Sequence, residues 1–163
     1  MGDFKVGFKM KDYKDIAPVH LLDNTDNIIN FDEFKKGNIE HCVWTKTRPD
    51  VVDNNFIEQE VTRVLRDGVW ICIKDDIVWL PPNYYFALQY GRAGDDDLQF
   101  RIKRLKHVYF KIQARKNPNC IGTYTIKNRQ DGETTSAITD AFWECLDGNM
   151  TNGQIGIQSK TRS

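Results

Sequence analysis

Residues 120–146 read CIGTYTIKNRQDGETTSAITDAFWECL, and the parsing of this stretch decides the fold. Positions 120–126, rich in Ile, Thr and Tyr, have the composition of a strand. A polar turn containing Gly132 follows over 127–132. Across 134–146, Ile138, Ala141, Phe142 and Cys145 recur at helical spacing, which predicts a helix with one apolar face. After Asp147-Gly148 and Asn152-Gly153, residues 154–159 begin a second strand. Strand, loop, helix and strand in this order make a βαβ unit of a parallel sheet. The expected fold class is α/β.

The junction between such a strand and helix suits phosphate. The first turn of the helix offers unpaired N–H groups and the positive end of its dipole, and a glycine lets the backbone close in. Lys127-Asn128-Arg129-Gln130-Asp131-Gly132-Glu133-Thr134-Thr135 places bases on the strand side and glycine on the helix side, with two hydroxyls that suit Mg²⁺. Against the usual pattern G-x-x-x-x-G-K-[ST], it departs twice. Lys127 or Asn128 stands where the first glycine belongs, and Glu133 stands where the lysine belongs. A glutamate beside a γ-phosphate repels it. The same residues also compose a tight βα turn capped by Asp131 or Thr134.

Upstream, Asn55 followed by Glu58 has the form of a helix N-cap with its capping-box partner. Ile57, Val61, Val64 and Leu65 then draw one apolar stripe on a helix ending near Asp67-Gly68. Two β-branched and aromatic runs, 69–73 and 77–80, flank Lys74-Asp75-Asp76 and predict a β-hairpin. Pro81 stops it, and Pro82 opens a helix to Tyr90 that carries Tyr84, Tyr85, Phe86 and Leu88. Leu98, Ile102, Leu105, Tyr109 and Ile112 step by four and three, which predicts an amphipathic helix over 98–116, ended by Asn117-Pro118. Residues 1–40 hold no persistent period and read as an extended polar arm, with room for a short helix at 31–36. The expected division is a polar arm over 1–52, an α+β adaptor segment over 53–117 (helix, β-hairpin, two helices) and the α/β unit over 118–163.

The 163 residues carry 23 bases and 23 acids, yet the charges are segregated: 98–129 holds nine bases and no acid. A helix with a basic polar face is either a solvated surface or a site for phosphate, whether of nucleotide or nucleic acid. Arg101, Lys103, Arg104, Lys106 and Lys111 are the candidates. The longest apolar run is five residues, 69–73, where a membrane span needs about 20, so no membrane partner is expected. The four cysteines lie 25 to 48 residues apart without a C-x-x-C pair, which fits reduced thiols in a cytoplasm. His20, His41 and His107 lack metal-binding spacing, and no G-x-S-x-G elbow occurs.

Taken in order, these residues resemble the large terminase subunit, the ATP-driven DNA-packaging motor of tailed bacteriophages, near its N-terminal end. Arg129-Gln130-x-Gly132-x-Thr134-Thr135 is similar to the terminase P-loop, and Lys127 matches the displaced lysine that some of these loops carry at their start. Gly156-Ile157-Gln158-Ser159-Lys160-Thr161 looks like the strand after the P-loop helix. Asp67-Gly68-Val69-Trp70, the hairpin, and Tyr84-Tyr85-Phe86-x-Leu88-Gln89-Tyr90 look like the segment before the motor core. The resemblance covers about residues 65–163.

It implies the first βαβ unit of a P-loop NTPase sheet, with ATP and Mg²⁺ as cofactors. Lys127 would be the catalytic cation, neutralising β- and γ-phosphate charge. The backbone of Gln130, Asp131, Gly132 and Glu133 would cradle the phosphates, and Thr134 would help to hold Mg²⁺ with Thr135 beside it. Arg129 would act as a second cation or face the adenine, and Gln89 would contact the adenine. The helix bearing Gln89 also reads as plain core packing, since aromatic stripes usually pack. The resemblance further implies double-stranded DNA, a portal protein and a small terminase subunit as partners, and a homo-oligomeric ring. It places the parent in the cytoplasm of the infected host, transiently at the prohead. The family's Walker B strand, catalytic carboxylate and nuclease domain lie downstream of the P-loop, so the chain is expected to be a fragment with no ATPase activity of its own. The alternative expectation is a non-catalytic DNA-binding or virion adaptor module that uses the basic helix 98–116.

Overall fold

The computed structural model describes residues 5–6, 16–30, 54–73, 76–93, 96–122 and 133–146. The loop 127–132, the strand expected over 154–159, the helix at 31–36 and positions 123–126 of the other expected strand lie outside these. In chain order the elements are β1 (Lys5–Val6), β2 (Ile28–Asn30), α1 (Asn54–Thr62), β3 (Val69–Ile73), β4 (Asp76–Leu80), α2 (Pro82–Tyr90), β5 (Arg92–Ala93), β6 (Asp96–Asp97), α3 (Ile102–Lys116) and α4 (Glu133–Leu146).

The two apolar runs pair as the hairpin expected of them, antiparallel from Val69 opposite Leu80 to Ile73 opposite Asp76. Strand alternation puts Trp70, Cys72, Ile77 and Trp79 on one face and Val69, Ile71, Val78 and Leu80 on the other. Buried residues occur in both sets, so the centre of the sheet is covered on both sides. On the first face the Tyr109 ring of α3 stacks on Trp79, with centroids 5.9 Å apart and planes within 8°. The Tyr109 hydroxyl donates to the Trp79 carbonyl, and both indoles are satisfied by backbone oxygens: Trp70 Nε1 by Pro18 at 3.2 Å and Trp79 Nε1 by Asp67 at 2.8 Å.

Two short strands flank the hairpin, both parallel to their neighbours, in the order β1-β4-β3-β2. The polar arm therefore contributes edges to the sheet. No alternation announces this, because three residues, Ile28–Asn30, take their extended form from the pairing with Trp70–Cys72. Two 3₁₀ turns, Val19–Asp23 and Thr25–Asn27, lead into β2, and the Asn24 side chain accepts the Asp26 N–H at 3.0 Å.

The helix after residue 53 continues past Thr62 through a π turn, Arg63–Asp67. Gly68 ends it at φ 64°, and a Cβ there would run into the Leu80 carbonyl oxygen, so the link between this helix and the hairpin requires glycine. Of the expected apolar stripe, Val64 packs against the core, whereas Ile57 and Val61 are exposed. The helix instead turns Glu60 inward. Its carboxylate accepts hydrogen bonds from Tyr85 (2.9 and 3.0 Å) and Tyr90 (2.6 Å), with the Arg63 guanidinium at 3.4 Å. A buried carboxylate is tolerable only when satisfied in this way.

Helix α2 opens on Pro82, as expected, and is buried along nearly its whole length. The basic helix begins at Ile102 rather than at 98, a correction with a clear cause. Residues 98–100 carry no helix, and Arg101 is extended (φ −138°, ψ 120°) because its N–H donates to the Tyr84 hydroxyl at 3.0 Å. Leu98 and Phe100 pack against the core from this non-helical stretch. Leu105, Val108 and Tyr109 are the buried positions of α3.

Helix α4 spans the expected residues but presents a different side. Thr139 and Asp140 are buried, and Trp143 Nε1 donates to the Val64 carbonyl at 2.6 Å. The apolar stripe is divided: Ile138 and Ala141 are half-buried, whereas Phe142 is 64% exposed and Cys145 is exposed, as is Leu146. Among the described residues, no helix is long and apolar enough to cross a membrane.

Gly68→Ala is expected to lower stability by at least about 2 kcal/mol, from positive φ plus the backbone collision. Gly122→Ala, with open space around the added carbon, should change little. Denaturant midpoints of the two variants check this.

Candidate functional site

Helices α2, α3 and α4 meet at a polar junction. The Asp140 carboxylate, on α4 and 9% exposed, accepts from Asn83 Nδ2 on α2 at 3.0 Å through one oxygen. Its other oxygen lies 3.3 Å from Lys111 Nζ on α3. One turn further along both helices, Arg115 pairs with Glu144. Ala114, Ala137 and Ala141 are small enough to leave a groove of about 430 Å³ between α3 and α4, with Cys120 and Gly122 at its rim. Asn83 is 4% exposed, and its Oδ1 has no hydrogen-bond partner among the described residues.

This junction divides the bases of α3. Lys111 and Arg115 turn toward α4, where carboxylates neutralise them. Lys103 and Lys106 are exposed on the outward side, together with Phe110 and Ile102. Arg104 is half-buried, and Arg101 is the exposed N-cap of the helix. The five candidate phosphate ligands thus do not form one surface: Lys111 is committed to Asp140.

Tyr84 holds the start of α3. Its hydroxyl donates to the Arg101 carbonyl at 3.2 Å and accepts the Arg101 N–H at 3.0 Å. Burial raises the Tyr84 pKa above the usual value of about 10, against the opposing effects of the Arg101 backbone hydrogen bond and the charges of Arg104 and Arg101.

Of the expected nucleotide site, Lys127, Arg129, Gln130, Asp131 and Gly132 lie outside the described residues. Helix α4 does begin at Glu133, directly after Gly132, so Glu133, Thr134 and Thr135 occupy its first turn. Thr135 is half-buried, and its carbonyl accepts the Thr139 hydroxyl at 2.7 Å. Gln89 is 6% exposed in α2, beside the buried Leu88 and close along the helix to Tyr84 and Tyr85. The core-packing reading of that helix is the one its burial matches. No cluster of three metal-binding side chains occurs among the described residues.

Sequence reasoning missed Asn83, Asp140 and Glu60. Their only local signal is a polar residue amid apolar neighbours, which reads as solvent-facing until the partner helix is known. No protein-family model, no curated protein and no solved structure matches the chain.

Asp140→Ala should cost about 2 kcal/mol in chemical denaturation, because it strands Asn83 and Lys111 together. Tyr84 supplies a pH test. The folded state holds the Tyr84 proton more tightly than the unfolded state, so its contribution is intact below about pH 10 and falls as pH rises beyond that. Stability measured from neutral to alkaline pH should therefore decline less steeply in Tyr84→Phe, although that variant starts lower.

Proposed function

We propose that the chain is the N-terminal, ATP-binding part of a phage terminase large subunit, the motor that packages double-stranded DNA into a prohead. The observation that carries this reading is the start of α4 at Glu133. A 14-residue helix opens directly behind Gly132, so the loop 127–132 precedes a helix N-terminus, as phosphate binding requires. The outward apolar side of α4 lends support: Phe142, Cys145 and Leu146 are what a helix covering a parallel sheet carries. On this proposal the fold is α/β, with the first βαβ unit of a P-loop NTPase formed by residues 118–163.

The residues present suit Mg²⁺-ATP. A P-loop magnesium ion takes one hydroxyl from protein and the rest of its oxygens from phosphate and water, so it needs no preformed cluster of carboxylates. Bound there, the metal neutralises charge between the β- and γ-phosphates. Thr134 or Thr135 would supply the hydroxyl, and the N–H groups of the first turn of α4 would bind the phosphates. Lys127 and Arg129 would supply the positive charge, as the resemblance implies. Glu133 is accommodated when its carboxylate points away from the γ-phosphate. Gln89 is left out of this proposal because burial withholds its amide from a base. DNA, a portal protein and a small terminase subunit remain the partners proposed for the parent motor, acting in the host cytoplasm as a ring.

Thermal unfolding with and without Mg²⁺-ATP tests the reading. Ligand at a hundredfold excess over Kd stabilises by about 2.7 kcal/mol. This gain should appear in the wild-type chain and vanish in Lys127→Ala. A wild-type chain indifferent to nucleotide would overturn the proposal.

A further inference from the structure

We draw no further inference here: the strongest candidate, the groove of about 430 Å³ between α3 and α4, belongs to the polar junction already described, where Lys111 pairs with Asp140 and Arg115 with Glu144, and nothing in the structure shows what would cover it.

Discussion

The stack of Tyr109 on Trp79 holds the basic helix against the central hairpin, and the rest of the described structure is arranged around it. Among the described residues the buried hydrophobic ones fall between Val69 and Tyr109, so hairpin, α2 and the first half of α3 share one core. Fully burying side chains of this size stabilises by about 1.5–3 kcal/mol each. The hydroxyl of Tyr109 and the two indole N–H groups end on backbone oxygens, so the aromatic core carries its polar atoms without penalty.

Around that core, buried carboxylates choose the angles at which helices meet. Glu60 accepts from Tyr85 and Tyr90 and thereby ties α1 to α2. Asp140 does the same for α4, reaching Asn83 on α2 and Lys111 on α3. Each oxygen has a defined donor, and a rotated helix would leave a charge buried without one. That loss exceeds what sliding apolar surfaces would cost, so these contacts specify geometry more sharply than the aliphatic packing does.

The consequence for function is a helix with two different basic sides. Carboxylates on α4 absorb Lys111 and Arg115, which makes those bases part of the scaffold. Lys103, Lys106, Phe110 and Ile102 are exposed positions of the same helix. The same α4 starts at the residue that follows the glycine of the candidate phosphate loop. The polar junction at Asp140 therefore fixes how α4 sits against α2 and α3.

Much of the element order was legible in the sequence. The run Val69–Ile73 and its partner declared a hairpin, Pro82 declared the start of α2, and the spacing of apolar residues placed α4 to within a residue. These features are local: they depend on dihedral preference, on proline's fixed φ and on periodicity within a few turns. The start of α3 was not legible, because the periodicity of Leu98 and Ile102 continues through a stretch that Tyr84 holds extended. Nor was the strand Ile28–Asn30, whose partner lies some 40 residues away in sequence, at Trp70–Cys72. The apolar stripe of α4 was legible as a stripe, but not that Ile138 and Ala141 are half-buried while Phe142 and Cys145 are exposed. The sequence by itself determined the hairpin, α2 and α4 and where the positive charge gathers along the chain. The tertiary structure decided which face of each helix turns inward and which lysines remain at the surface, because those outcomes depend on donors and acceptors supplied by other segments.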